Sequence, residues 1–339
     1  MKDYKSIISK FNKAKILVVG DLILDEFIWG SVERISPEAP VPVVLQNKRS
    51  YMPGGAANVA NNLSSLGARV SIVGKVGDDA EGKMLLSELK KRGINSDGVI
   101  IDSKHPTILK TRIIAQHQQV VRVDRESVGL SADSTEKIAG FIIKNIPKFD
   151  ALVIEDYGKG VIKPELLEKI CPVARKLKKI ITVDPKEDHF NYYVGVTAIT
   201  PNRKEAENAI RHLKIKDTQN RFKVNITSLS TDRDINLAGR ELLRYLNLES
   251  VLITLGERGM RLFEKGKEKP VHIDTVAQEV FDVSGAGDTV IATLTLGLAS
   301  GADKLTAAHL ANFAAGIVVG KVGVATVSRQ ELLKRISER

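Results

Sequence analysis

The 339-residue chain carries 51 lysines and arginines against 41 aspartates and glutamates, with 43% hydrophobic and only 5% aromatic residues. That is the composition of an ordinary globular protein, long enough for about two domains or one large α/β domain, and it excludes collagen-like, low-complexity and disordered classes. The formal charge of +10 is spread over lysines mixed with acids, as in residues 83–92 and 233–244, and no block of five like charges occurs. A nucleic-acid groove needs basic residues interleaved with aromatics, so the charge reads as a solvated surface that suits an anionic small molecule, with no nucleic acid as partner.

Cys171 is the single cysteine, in a stretch that reads as a buried helix. It forms no intrachain disulfide and no cysteine metal site. The six histidines have no ligand spacing. The first apolar run, residues 16–19, stops at Gly20-Asp21, too short for a signal-peptide core. The longest nearly apolar stretch, residues 290–302, is far short of a membrane span. A cytoplasmic location and no membrane partner are expected.

In chain order, residues 16–19 read as a buried strand, 58–66 as a helix, 70–73 as a strand and 82–92 as a helix. Residues 151–154, 180–183, 198–200 and 251–255 are further short buried strands, separated by helical stretches at 164–177, 204–212 and 237–246. Continuous apolar strands with helices between them predict an α/β fold with a mainly parallel sheet covered on both faces. Residues 27–46 and 105–124 alternate instead, as in Pro-Val-Pro-Val-Val and Gln-Val-Val-Arg-Val-Asp. They predict a small antiparallel sheet outside the main one, either a lid or dimer surface or an ordinary edge hairpin. Residues 215–234 are polar and weakly periodic and read as a loop.

Three glycine-rich turns compete for phosphate. Gly77-Asp-Asp-Ala-Glu-Gly-Lys-Met84 nearly matches a Walker A loop. Met84 stands where Ser or Thr would hold magnesium, and Asp78, Asp79 and Glu81 would repel phosphate, so it fails. Pro53-Gly-Gly-Ala-Ala-Asn-Val-Ala60 lets backbone approach a ligand at Gly54 and Gly55. Asn58, in the first helical turn, can donate to and accept from sugar hydroxyls; a tight turn with close helix packing is the plainer account. The third, Asp282-Val-Ser-Gly-Ala-Gly-Asp-Thr289, leads into an apolar helix. Gly285, Ala286 and Gly287 expose successive amides at a helix N-terminus, a ready site for charge on a transferring phosphoryl group. Asp288 is either a helix-capping acid or the carboxylate that takes a proton from a substrate hydroxyl, for which an aspartate of ordinary pKa suffices.

Asn202 and Glu205 in Thr200-Pro-Asn-Arg-Lys-Glu205 share one helical side. They suit a hydrated Mg2+, or simply a capping box. Thr254-Leu-Gly-Glu-Arg-Gly259 leaves a strand and either packs a nucleotide or turns a hairpin.

Taken in order, Gly20-Asp21…Asp25, Gly54-Gly55…Asn58, Gly74-Lys-Val-Gly-Asp-Asp-Ala-Glu-Gly82, Asn202…Glu205, Thr254-Leu-Gly256 and Gly285-Ala-Gly-Asp288 resemble the ribokinase-like, or PfkB, family of carbohydrate kinases over nearly the whole chain. The stretch Arg34-Ile-Ser-Pro-Glu-Ala-Pro-Val-Pro-Val-Val44 resembles the branch of that family acting on D-glycero-β-D-manno-heptose 7-phosphate. So do His105-Pro-Thr, Asp156-Tyr-Gly-Lys-Gly160 and Asp184-Pro-Lys186. The resemblance implies ATP-dependent phosphorylation of the anomeric hydroxyl to the 1,7-bisphosphate, toward ADP-heptose for the lipopolysaccharide core.

The same resemblance implies roles for individual residues. Asp288 becomes the base, and Gly285, Ala286 and Gly287 the anion hole. Asn202, Arg203, Lys204, Glu205, Thr254, Gly256, Gly259 and Asn312 fall to ATP and Mg2+. Asp25, Gly54, Gly55, Asn58 and Asp156 fall to the sugar. Lys110, Arg112, Arg122 and Lys186 are candidates for its phosphate, and Asp282, Ser284 and Ser328 for a potassium-type ion. It further implies one ribokinase-like domain over 1–339, with lid segments at about 27–48 and 105–125 through which two copies pair as a homodimer. No His-x-Gly-His motif precedes Arg339, so no nucleotidyltransferase domain and a stand-alone kinase are expected.

Overall fold

The computed structural model describes residues 4–116, 118–126, 129–226 and 228–338. His117, within the second expected lid segment, Thr227, within the expected loop, and Arg339 lie outside them. The strands, in chain order, are β1 (Lys15–Gly20), β2 (Leu22–Ile35), β3 (Pro42–Gly55), β4 (Arg69–Gly77), β5 (Asn95–Asp102), β6 (Ile108–Ala115) and β7 (Gln118–Arg125). They continue as β8 (Ala151–Glu155), β9 (Ile180–Asp184), β10 (Ala198–Ile199), β11 (Ser250–Thr254), β12 (Met260–Glu264) and β13 (Val271–Ile273). The helices are α1 (Tyr4–Ser9), α2 (Ala56–Ser65), α3 (Ala80–Lys91), α4 (Ala132–Asn145), α5 (Pro164–Lys176), α6 (Arg203–Lys216), α7 (Asp232–Tyr245), α8 (Ala286–Ala299), α9 (Lys304–Val318) and α10 (Arg329–Ser337).

The apolar runs become the large sheet. Among the described residues it has nine strands in the order β13-β12-β11-β10-β9-β8-β1-β4-β5, parallel except at the β11–β12–β13 edge. Side chains alternate across a strand, so β1 feeds two cores. Leu17 and Val19 pack with Ile138 and Ile142 of α4, Ile170 of α5 and Ile210 of α6. Ile16 and Val18 pack with Val59 and Leu63 of α2, Ile291 and Leu296 of α8 and Phe313 of α9. Two covered faces explain why these strands read as unbroken apolar runs.

The alternating segments form a separate four-stranded sheet, ordered β3-β2-β6-β7. β2 and β3 extend beyond the expected 27–48 at both ends, from Leu22 to Gly55, whereas β6 and β7 fall within the expected 105–125. β2 is buried over its first six residues and emerges into solvent only toward Ile35. β3 returns antiparallel and ends on Gly54 and Gly55, opposite Ile23 and Leu22.

Helices α6 and α7 differ from expectation at their ends. α6 runs on to Lys216, and α7 begins at Asp232, earlier than residue 237, because Thr231 and Asp234 form a capping box that satisfies both first-turn amides. The expected loop is correspondingly shorter, between Lys216 and Asp232. Cys171 is buried in α5, and burial pushes its thiol up to about 11.

No helix of the described residues is long and apolar enough to cross a membrane.

Candidate active site

The C-terminal ends of β1, β8, β9 and β11 and the start of α8 converge where the two sheets meet, the usual cleft of an open α/β sheet. α8 is buried along one unbroken run from Asp288 to Gly297, which is why it reads as apolar on every side. Its N-terminus opens at Gly285, whose φ of 78° is left-handed and whose added Cβ would lie 3.0 Å from the Asn58 side-chain nitrogen. Glycine is what lets the turn bring its amides to the surface while Asp288 points inward.

Asp288 is buried and does not cap its helix. Asn58 donates to its Oδ2 at 2.5 Å, and the Tyr157 hydroxyl donates to its Oδ1 at 3.2 Å. Asn58 is itself held, because the Asn62 amide donates to the Asn58 carbonyl at 3.0 Å and Thr289 Oγ1 donates to Asn62 Oδ1 at 2.9 Å. Burial pushes Asp288 up to about 6, against the pull of its donors Asn58 and Tyr157. That differs from the ordinary carboxylate of the sequence reading, and the cause is burial.

A cavity of about 90 Å³ opens on this carboxylate, lined by Ile23, Asp25, Gly55, Asn58, Lys110, Arg112, Tyr157, Ser284, Gly285, Asp288 and Val324. Asp25 of β2 is buried and paired with Arg112 of β6 at 2.5 Å. Gly54 leaves room for that pair, since a Cβ there would lie 2.4 Å from Asp25 Oδ2. Gly55 adopts a φ of 56° beneath the Asp21 carbonyl. The Lys110 ammonium sits over the Tyr157 ring, 5.7 Å from its centre. Burial lowers the Lys110 pKa, while Asp124, Glu126 and Asp25 oppose it.

Three expected sugar or phosphate contacts lie elsewhere. Asp156 is tied up: Gly158 N donates to its Oδ1 at 2.8 Å, the Tyr193 hydroxyl to its Oδ2 at 2.7 Å, and His189 Nδ1 lies 2.8 Å from the same oxygen. It shapes the 156–160 turn and does not line the cavity. Arg122, opposite Arg112 in the β6–β7 ladder, pairs with Asp124 on the exposed strand. Lys186 packs against Gly158 and acts electrostatically on Glu205.

Sequence reasoning passed over Tyr157, which follows Asp156 and supplies a donor to Asp288. It also passed over the grip on Asp21, whose carboxylate accepts from the amides of Tyr157, Lys159 and Val161 at 3.1, 2.9 and 3.0 Å. Burial pushes Asp21 up to about 6 against those amides.

On the other side of the Gly285–Gly287 turn lies a second cavity of about 440 Å³, whose lining includes Thr254, Gly256, Gly259, Thr275, Val283, Ala286, Gly287, Val290 and Asn312. Its apolar walls and few polar groups suit a flat aromatic base. The β11–β12 hairpin that carries Gly256 and Gly259 is therefore both a hairpin turn and a cavity wall. Gly259 has φ 78° with the Ile273 carbonyl 2.1 Å from where a Cβ would stand. Asn312 donates to the Asp274 carbonyl at 2.8 Å.

Asn202 and Glu205 form a full capping box at the start of α6. One Glu205 oxygen serves the Asn202 amide at 2.8 Å, leaving the other to accept from a metal-bound water. Burial raises the Glu205 pKa, opposed by the Asn202 amide. Arg203 and Lys204 are exposed, and Lys204 pairs with Glu207 along the helix. Asp282 accepts from Ser284 N at 2.9 Å, whereas Ser328 caps α10 with its hydroxyl. The Walker-like turn is closed by its own acid: Asp79 accepts from Gly82 N and Thr107 N, both at 2.8 Å.

Behind the Gly285–Gly287 turn, Glu155, Asp184 and Asp288 bring carboxylate oxygens within 4.8 Å of one another. Burial, then Asp184 and Asp288, push Glu155 well above the usual carboxylate range. Burial, then Glu205 and Asp288, do the same to Asp184, to which Thr200 Oγ1 donates at 3.1 Å.

Two cavities meeting at an amide-rich turn, with a buried carboxylate on one side, define a kinase of small polar molecules. Residues 13–331 match the pfkB family of carbohydrate kinases, and the chain belongs to that family. It is 44% identical to the bifunctional protein HldE of Desulfatibacillum aliphaticivorans over 98% of this chain and 65% of that protein. It is 47% identical to the HldE of Helicobacter pylori over 94% of this chain and 65% of that protein. The chain thus spans about 65% of the length of these relatives.

The fold is ribokinase-like. It is similar to Arabidopsis thaliana ribokinase complexed with ribose and ATP, at a TM-score of 0.71 and 19% identity over 95% of this chain and 98% of that one. It is also similar to Escherichia coli phosphofructokinase-2 in complex with substrates and products, at 0.76 and 18% over 96% and 99%.

Proposed function

We propose that this carbohydrate kinase transfers the terminal phosphoryl group of ATP to the anomeric hydroxyl of D-glycero-β-D-manno-heptose 7-phosphate, giving the 1,7-bisphosphate. The observation that carries the reading is the division of the cleft by one turn: Ser284, Gly285 and Asp288 line the small cavity, while Ala286 and Gly287 line the large one. The heptose branch is supported by the Arg34–Val44 resemblance, by the HldE relatives, and by two cations, Lys110 and Arg112, lining the sugar side.

In this reading the sugar hydroxyl donates to Asp288, whose carboxylate is fixed by Asn58 and Tyr157. The hydroxyl oxygen attacks the terminal phosphorus in line, the bond to ADP breaks, and the proton passes to Asp288. The amides of Gly285–Gly287 meet charge on the transferring group, in a site where fixed dipoles need no reorganisation. Asp25 and Asn58 orient ring hydroxyls, and Lys110 and Arg112 receive the phosphate already on the substrate. The free Glu205 oxygen and Asn202 suit a hydrated Mg2+, which neutralises phosphate charge when bound with ATP. A potassium-type ion near Asp282 and Ser284 belongs to the same proposal, tested by comparing rates in K+ and Na+.

The exposed apolar side chains Ile35, Leu45, Val121 and Val123 on the lid sheet, with Val41 in the β2–β3 connection, support pairing of two copies there. Light scattering of the purified chain tests that part.

The central experiment is incubation with ATP and a panel of sugars and sugar phosphates, with the product identified by 31P and 13C NMR. A phosphoester at the anomeric carbon of heptose 7-phosphate is expected. Clear preference for an unphosphorylated pentose or hexose overturns the heptose assignment.

A further inference from the structure

Lys159 stands out among the charges beside the small cavity. It lies between two glycines of left-handed backbone, Gly158 at φ 68° and Gly160 at φ 100°, in the turn whose amides Asp21 holds. The same turn carries Tyr157, which lines the cavity and has the Lys110 ammonium over its ring. The Lys159 side chain reaches back across the turn and pairs with Glu126 at 2.5 Å, on the chain leaving β7. Glu126 is also one of the carboxylates that act on Lys110. One carboxylate thus serves two ammonium groups.

The pair is not needed to hold this stretch of chain. Arg125, just before Glu126, pairs with Glu81 at 2.8 Å. Further on, the Gly129 carbonyl accepts from Lys75 at 2.7 Å and the Leu130 carbonyl from Lys163 at 2.9 Å. An ion pair whose side chains are 20% and 27% exposed contributes little to stability. Its effect is on the field beside the cavity, where Lys110 and Lys159 would otherwise repel each other. Arg112, the other cation of the cavity wall, already pairs with Asp25. A phosphate monoester carries about −1.5 to −2 charges at pH 7 and offers three acceptor oxygens. It outcompetes a single carboxylate for two ammonium groups, whereas a neutral hydroxyl does not.

On the reading of the substrate as a sugar phosphate, we propose that Lys159 joins Lys110 in receiving that phosphate, and that Glu126 holds the place until the phosphate displaces it. The exchange makes the pair a specificity element. A sugar without phosphate leaves Glu126 on Lys159. A sugar phosphate opens the pair and gains charge-assisted contacts to both lysines.

The two partners should then act in opposite directions, which a purely structural ion pair does not do. KM is measured at saturating ATP for heptose 7-phosphate and for the same heptose without its phosphate. Lys159→Ala should raise the KM of the phosphorylated sugar about tenfold or more, the scale of a charge-assisted hydrogen bond, and Lys159→Arg should restore most of that loss. Glu126→Gln should lower the same KM about threefold, the scale of one partly exposed ion pair. The KM of the unphosphorylated heptose should change far less in both variants. A KM for the phosphorylated sugar that rises or stays level in Glu126→Gln overturns the proposal. So does Lys159→Ala that shifts the two sugars alike or shifts neither. If Lys159→Ala fails to fold, the direction of change in Glu126→Gln still decides. A parent enzyme with no preference for the phosphorylated sugar refutes the substrate reading itself, so the two failures are told apart.

Discussion

The side-chain amide of Asn58 lies 2.5 Å from Asp288, bridging two helices whose N-termini are 230 residues apart in sequence and face each other across the cleft. It donates to the carboxylate that has to accept a proton, so it stabilises the charged form. A hydrogen bond to a charged group is worth about 1.5–3 kcal/mol, or roughly one to two pKa units. Asn58→Ala should therefore move the acid limb of kcat/KM upward by at least about one pH unit. A limb that stays where it was removes this role from Asn58.

In the parent enzyme that limb should centre near 6, the value to which burial pushes Asp288. The base acts when ionised, so kcat/KM should be flat above the limb and fall tenfold per pH unit below it. A limb near 4 would mean that the carboxylate is better solvated than its burial implies.

Asp288→Asn keeps the shape of the side chain and removes the proton acceptor. General-base catalysis contributes about 10²–10⁴-fold, so kcat should drop by that order while the dissociation constant for ATP changes less than about threefold. Turnover close to the parent's would take Asp288 out of the chemistry.

Lys110→Ala should raise KM for a phosphorylated sugar by about tenfold or more, corresponding to the ~1.5–3 kcal/mol of a charge-assisted hydrogen bond. The KM of an unphosphorylated analogue should stay the same. Equal effects on both would turn Lys110 into a general wall of the cavity. Arg122→Ala, whose side chain pairs with Asp124 on the exposed strand, should leave both values near those of the parent.

Gly54→Ala places a methyl group 2.4 Å from Asp25 Oδ2. The Asp25–Arg112 pair must then shift, and sugar KM should rise with little change in ATP affinity. Parallel loss of both, together with a lowered Tm, would indicate that the substitution damages the fold and not the sugar side alone.

Much of this was legible in the sequence wherever burial on both faces leaves an apolar run, as in β1, β8 and β9, and wherever glycines mark a turn, as at 54–55 and 285–287. The helix start at Asp232 was harder, because polar capping residues carry no apolar period, although the capping box at Asn202 and Glu205 had marked the start of α6. Asp156 and Tyr157 show the limit at the site. Both follow the end of a strand, and the acid looked like the ligand, yet Gly158 of its own turn and His189 and Tyr193 from elsewhere in the fold occupy Asp156, while Tyr157 turns to Asp288. Glu155 was invisible, since an acid closing an apolar run reads as the edge of a strand.

Strand β2 runs 14 residues without a break from the foot of the cleft to the tip of the lid, roughly 45 Å at ~3.3 Å per residue. Asp25 is near one end of this rod and Ile35 at the other, and β3 returns along it to Gly54. A swing of the tip cannot be absorbed in a flexible hinge before it reaches Asp25, except at the irregularities beside Gly30 and between Val32 and Arg34. On the proposed function, the outer sheet is a lever with its short arm in the sugar cavity. Whatever grips the tip, a second copy of the chain included, presses on the hydroxyl-binding end, and a sugar seated there sets the angle of the tip in return.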